Sequence, residues 1–225
     1  MDDHVFTNDA SPDLKGISGH TKSLYSQSVK RPLDVAISIV LLPILLPVIF
    51  VLYALVRASG GPGFFGHARI GMDGRRFRCW KLRTMVPDAE ERLNALLNTD
   101  PSARAEWERD RKLRDDPRIT KFGDFLRKTS LDELPQIYNV LKGDMSLIGP
   151  RPVTAEEIAR YGVHKPFYLA MRPGVTGLWQ VSGRNDISYS ERVALDSRYF
   201  REVSLGLDLS ILVRTATVVW RWSGM

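Results

Sequence analysis

Two adjacent carboxylates, Asp132 and Glu133, stand in the run Arg127-Lys128-Thr129-Ser130-Leu131-Asp132-Glu133-Leu134-Pro135-Gln136, where a helix is about to begin. Ser130 and Glu133 match a capping box, in which the two side chains satisfy each other's free backbone N–H groups. Asp132 is the alternative cap, with Pro135 in the first turn, where a missing N–H costs little. A helix start also permits chemistry: its free N–H groups and positive dipole end favour an ionised Asp132 and would hold a phosphate beside it. A carboxylate that attacks phosphorus meets another anion, so this reaction calls for a divalent metal and cationic side chains.

Cations stand in short segments bounded by Gly or Pro. They are Lys81 and Arg83 in Lys-Leu-Arg-Thr-Met, Arg127, Arg151 beside Pro152 in Gly149-Pro150-Arg151-Pro152, Arg172 before Pro173-Gly174, and Arg184 after Gly183. One surface arginine is usually solvated or paired with a neighbour. Their concurrence in irregular loops marks the set, because guanidinium forks match phosphate oxygens. Other chemistries lack their residues. His4, His20, His67 and His164 have no zinc-ligand spacing, and there is no Walker A run, Gly-x-Gly-x-x-Gly turn or nucleophile elbow.

The elements that must position these groups begin with a membrane segment. Val35 to Val56 is 22 residues without a charge, 16 of them Val, Ile, Leu or Phe. Its gross insertion energy is roughly −5 to −10 kcal/mol. As a straight helix it rises about 33 Å, just enough for a hydrocarbon core of about 30 Å. Pro43 and Pro47 inside the run predict a kink. Basic residues flank both ends, Lys30 and Arg31 before it and Arg57, Arg69, Arg75, Arg76 and Arg78 after it. Both flanks then prefer the cytoplasmic side, which a re-entrant hairpin satisfies; a kinked spanning helix is the alternative.

Residues 1–29 are polar and aperiodic and read as a disordered tail carrying a net −2 within the overall +6. The basic remainder suits phosphate-bearing partners. Cys79 is the single cysteine, so no intrachain disulfide can form. Phe64–Ile70 and Arg76–Leu82 flank Gly71-Met72-Asp73-Gly74 and predict a β-hairpin. Two surface helices follow over 88–113, broken at Asp100-Pro101, then a helix from about Leu134 to Leu141 ended by Gly143 and an irregular loop over 149–152. Leu205 to Trp222 suits an interfacial helix, with an ordinary core helix as the other reading.

Together these motifs resemble the small monotopic phosphoglycosyl transferases of bacteria, in particular exopolysaccharide-initiating members of the undecaprenyl-phosphate galactose phosphotransferase type. The resemblance runs from Lys30-Arg31-Pro32-Leu33-Asp34 through Lys81–Met85, Asp116–Thr120, Ser130–Gln136, Gly143–Ser146 and Gly149–Pro152 to Arg172–Gly177. Two positions depart from it: Leu46-Pro47 stands where Ser-Pro is common, with Pro43 added, and Leu82 stands where Phe is common.

The resemblance implies a mainly α fold with a small β-hairpin, a monotopic membrane protein with one re-entrant, Pro-kinked helix over 30–58 and a catalytic domain over 59–225. That domain would lie on the cytoplasmic face of the bacterial inner membrane. The implied reaction passes a hexose-1-phosphate, of galactose or glucose type, from a UDP-sugar to polyprenyl phosphate and releases UMP, as the first membrane step of exopolysaccharide synthesis. Asp132 falls on the nucleophile that carries the phosphosugar and Glu133 on its partner, both near Mg²⁺. Lys81, Arg83, Arg127, Arg151, Pro152, Arg172 and Arg184 are the expected substrate contacts. Nucleic acid is not an expected partner, whereas a homo-oligomer and downstream glycosyltransferases are compatible ones. Direct displacement with Glu133 as general base, and a non-catalytic basic scaffold tethered to the membrane, are the rival readings.

Overall fold

The computed structural model describes residues 24–110, 113–183 and 187–220. Helix α1 spans Lys30–Ala58 and continues through Pro43 and Pro47 as one helix. A π-helical turn, Tyr25–Val29, leads into it. Residues 1–23 lie outside the described residues, but Leu24–Val29 is helical where a disordered tail is expected. The cause is tertiary: the Tyr25 hydroxyl and the Lys30 ammonium both donate to Asp208 Oδ2, each at 2.6 Å.

Tyr25–Ala58 is the one helix among the described residues long and apolar enough to cross a membrane. Its middle is bare, with Val40 73% and Phe50 71% exposed, while Asp34, Ser38, Ile49, Leu52 and Val56 are buried. Both ends therefore pack on the same body. At the first, Arg31 donates to the carbonyls of Val140 and Leu141, and Asp34 accepts from the Ser146 hydroxyl at 2.6 Å. At the second, Leu52 and Val56 join Leu82 and Leu126 in a core cluster.

The hairpin forms as predicted. Strands β1, Phe64–Ile70, and β2, Arg76–Leu82, pair antiparallel with Phe65 opposite Lys81. Helices α2, Ala89–Thr99, and α3, Pro101–Asp110, break where expected, because Asp100 Oδ1 accepts from the N–H groups of Ser102 and Ala103. Helix α4, Lys121–Lys128, is capped by Thr120, whose hydroxyl accepts from Gly123 N–H. Gly123 has no alternative, since a Cβ there would run into the Thr84 carbonyl. Helix α5, Gln136–Lys142, ends on left-handed Gly143 (φ 98°).

A second, smaller sheet has no counterpart in the sequence reading. Strands β3, Ser146–Ile148, and β4, Gly174–Thr176, pair in parallel and hold the irregular 149–152 loop between them and the hairpin. Short helices α6, Ala155–Ala159, α7, Lys165–Leu169, and α8, Leu178–Ser182, lead to α9, Tyr189–Glu202. Helix α10 spans Leu205–Trp220, with Asp208 and Ile211 buried and Leu205, Leu209 and Val213 exposed at four-residue spacing. Trp222, expected to close that helix, lies outside the described residues.

Candidate active site

The carboxylate pair sits on a 3₁₀ turn, Leu131–Glu133, entered through Ser130 in the left-handed region (φ 57°). The capping box does not form: the Ser130 side chain makes no cap hydrogen bond, and α5 starts later, at Gln136, after Pro135, which offers no side-chain cap. Asp132 does not cap α5 either. Its position comes from α4 behind it and from α5, which is pinned to β2 by one buried side chain. Asn139 Oδ1 accepts from Trp80 N–H at 3.0 Å, and its Nδ2 donates to the Arg78 carbonyl at 2.8 Å. That pair of bonds fixes the dyad against the strand carrying Lys81.

Lys81 Nζ lies 2.5 Å from Glu133 Oε1 and 3.6 Å from Asp132 Oδ2. Burial alone raises the pKa of both carboxyls, but the outcomes diverge. For Glu133 the Lys81 charge and hydrogen bond prevail and hold it below the ordinary value. For Asp132 burial, helped by the Glu133 charge, prevails over Lys81 and Arg127 and raises it. The helix-start field anticipated for Asp132 is thus not what governs it. The Lys81 ammonium is itself raised: burial opposes its charge, and the two carboxylates more than offset that.

Asp132 and Glu133 line a cleft of about 340 Å³ together with Arg127, Arg151 and, from α1, Leu41 and Leu45. Arg127 Nε donates to Thr84 Oγ1 at 2.9 Å. The Arg151 guanidinium lies 5.7 Å from the Trp179 ring centroid and has no hydrogen bond or ion pair to the described residues. Behind Glu133 a small polar recess takes in Lys81, Arg151, Pro152 and Arg69. Cys79 also borders it as a free thiol, and burial pushes its pKa up to about 11.

Lys81, Arg127, Arg151 and Pro152 thus gather at the dyad as expected. Arg83 does not: it is buried beneath the end of α1, where Nη2 donates to the Val56 carbonyl and to Ser59 Oγ. Strand alternation would put Lys81 and Arg83 on one side, but β2 ends at Leu82, and Arg83 follows the chain beneath the end of α1 instead. Arg172 is also elsewhere, its Nε on the Gly143 carbonyl. Arg184 lies outside the described residues. Sequence reasoning missed Trp179, whose buried indole N–H has no partner among the described residues, and Thr176 and Thr215, whose hydroxyls meet at 2.8 Å beside the cleft. The signal was at hand, because Trp179 and Thr176 adjoin or belong to the Arg172–Gly177 block.

Two carboxylates and no third acidic, His or Cys ligand among the described residues make an incomplete cage. Such a pair suits Mg²⁺, which takes one or two carboxylates and completes its shell with water and substrate phosphate.

The family described as "Bacterial sugar transferase" matches residues 25–222. The undecaprenyl-phosphate galactose phosphotransferase of Salmonella typhimurium is 52% identical over 199 residues, which is 88% of this chain and 42% of that protein. The UDP-galactose-lipid carrier transferase of Erwinia amylovora is 48% identical over 92% of this chain and 44% of its own length. The exopolysaccharide production protein ExoY of Sinorhizobium fredii is 48% identical over 84% of both chains. This chain therefore spans less than half of the first two relatives and most of the third. With the match running from the turn before α1 to beyond α10 and enclosing the whole dyad cleft, the chain belongs to the bacterial sugar transferase family.

Proposed function

We propose that this protein transfers a hexose-1-phosphate from a UDP-sugar to undecaprenyl phosphate and releases UMP, at the cytoplasmic face of the inner membrane. The observation that carries the reading is the pair of buried Asp132 and half-buried Glu133, clamped by Lys81 in a cleft that also takes in Leu41 and Leu45 of the apolar helix. A lipid phosphate and a nucleotide sugar need such a meeting place, apolar on one side and cationic on the other. The names of the relatives support the same donor and acceptor.

In the proposed first step an Asp132 carboxylate oxygen attacks the β-phosphorus of the UDP-sugar, and the bond from that phosphorus to the bridging oxygen breaks. UMP leaves with the electron pair, and the phosphosugar stays on Asp132 as an acyl phosphate. In the second step a phosphate oxygen of the lipid attacks the same phosphorus and frees Asp132. Arg127 and Arg151 hold the diphosphate oxygens, and Lys81 keeps Glu133 ionised. Mg²⁺, held by Asp132 and Glu133, would supply charge neutralisation at the diphosphate. Burial makes Asp132 a poorly hydrated nucleophile, and it must be ionised to act.

The attachment of both ends of α1 to one body supports a re-entrant course, because a spanning helix would carry one end to the far face, and Pro43 and Pro47 are where a bend in α1 would fall. The exposed Leu205, Leu209 and Val213 stripe supports α10 as an interfacial helix. Membranes containing the protein, given UDP-galactose labelled in the β-phosphate, test the chemistry, with UDP-glucose as the parallel donor. Without lipid acceptor, one UMP per enzyme and acid-quenchable label on the protein are expected. Asp132→Asn should show neither. Equal UMP release by that variant, or UMP that appears only with acceptor present, would sink the covalent step.

A further inference from the structure

A second cavity, of about 450 Å³, shares no residue with the cleft of the dyad. It opens where α1 begins, and it is walled by β3, the segment after α7 and the end of α9. Four cations line it, Lys30, Arg31, Arg172 and Arg201, against one carboxylate, Asp34. Lys30 and Asp34 are already matched. Lys30 pairs with Asp208 at 2.6 Å, and Asp34 accepts from the Ser146 hydroxyl and the Leu147 N–H.

The arginines are not matched. Arg31 gives its two Nη groups to the Val140 and Leu141 carbonyls, and Arg172 gives Nε to the Gly143 carbonyl. Both guanidinium groups therefore lie side by side at the carbonyl end of α5 with no carboxylate partner among the described residues. Burial is the main cause that pulls the Arg172 pKa below its ordinary value; the Arg31 charge adds to it, and the Asp34 and Asp73 charges oppose it. Arg31 Nε and both Nη groups of Arg172 have no hydrogen-bond partner among the described residues. Arg201, on the last turn of α9, is exposed and rests 6.0 Å from the Phe167 ring centroid. Met171, Phe200 and Val203 give the cavity an apolar side beside these cations.

We propose that this cavity binds a phosphate-bearing anion on Arg31, Arg172 and Arg201, separately from the substrates at the dyad. Forked guanidinium donors and an apolar side fit a phosphate that carries an apolar tail, as in the headgroup of an anionic phospholipid, and free phosphate shares the recognised chemistry.

Thermal unfolding of the full chain in neutral detergent, at fixed ionic strength, tests this. Short-chain phosphatidylglycerol, short-chain phosphatidylcholine and inorganic phosphate are titrated separately. A saturable rise in Tm with phosphatidylglycerol or phosphate is expected, and little with phosphatidylcholine. Half-saturation should weaken about tenfold in Arg172→Gln and in Arg201→Gln, the loss of one charge-assisted contact. Asp132→Asn should keep the full rise. Phosphatidylglycerol acting at lower concentration than phosphate assigns the headgroup as the source, and equal potency assigns free phosphate. Arg201→Gln carries the test should Arg172→Gln fail to fold. The proposal is overturned by no saturable rise, by a rise unchanged in both arginine variants, or by a rise lost in Asp132→Asn and kept in the others.

Discussion

Two places in this molecule hold a lysine between two carboxylates. Lys81 lies 2.5 Å from Glu133 and 3.6 Å from Asp132; Lys30 lies 2.6 Å from Asp208 and 3.9 Å from Asp34. On charge alone the two are alike, and both are largely buried. They differ in what else the carboxylates receive. Asp208 also accepts from the Tyr25 and Tyr199 hydroxyls, each at 2.6 Å, and Asp34 from Ser146 and Leu147. Asp132 has Lys81 as its one ion-pair partner among the described residues, with the Arg127 charge farther off, and it lines a cleft. Saturated carboxylates lock helices together, whereas an undersaturated one is left to react.

The widest separation should come from Asp132→Asn, with sugar-phosphate transfer falling at least about a thousandfold and the fold retained, measured by lipid-linked label and circular dichroism. A variant that folds and transfers normally would erase the distinction. Asp208→Ala should do the reverse. It strands Lys30 and two hydroxyls and should cost about 3–5 kcal/mol, read as a lower Tm in detergent, with turnover per folded molecule unchanged.

Lys81→Gln sharpens the comparison at the dyad. Removing the ammonium raises both carboxyl pKa values, so the acid limb of the pH–rate profile should move to higher pH. Activity at pH 7 should drop about 10–100-fold and partly recover as pH rises. A limb that stays in place would separate Lys81 from the ionisation of the dyad.

The smallest effect concerns stability. The raised Asp132 pKa means that the folded state holds this proton more tightly than the unfolded chain. Its contribution is fully present below the unfolded-state value and is lost as pH rises through the folded one. At pH 7 to 8 Asp132→Asn should therefore raise Tm by about 2–4 °C, equivalent to about 1 kcal/mol, and the gain should vanish in acid. The same scan of Asp208→Asn should show a loss at neutral pH.

Much of this was legible in the sequence where local chemistry decides. The hairpin, the break at Asp100-Pro101 and the Gly143 terminus follow from turn residues and caps. The dyad was legible as chemistry but not as geometry, since Ser130 and Glu133 read as a capping box and the left-handed Ser130 prevents one. The β3–β4 sheet was hidden because each strand has three residues, too few for a period. Arg83 and Arg172 were read as phosphate contacts from residue type and loop setting. Which body a long side chain reaches depends on packing between distant segments, and there both of them serve helix carbonyls. The last turn before α1 was lost for the same reason, its partner Asp208 being 183 residues from Tyr25.

That separation sets a schedule for biogenesis. The apolar helix leaves the ribosome before its polar partners, since Ser146 follows Asp34 by 112 residues and Asp208 follows Lys30 by 178. At about 5–20 residues per second those partners emerge roughly 6–35 s later. Through that interval these contacts at the start of the helix cannot form, and the nascent protein depends on its surroundings to shield 22 uncharged residues until the later segments pack against both ends.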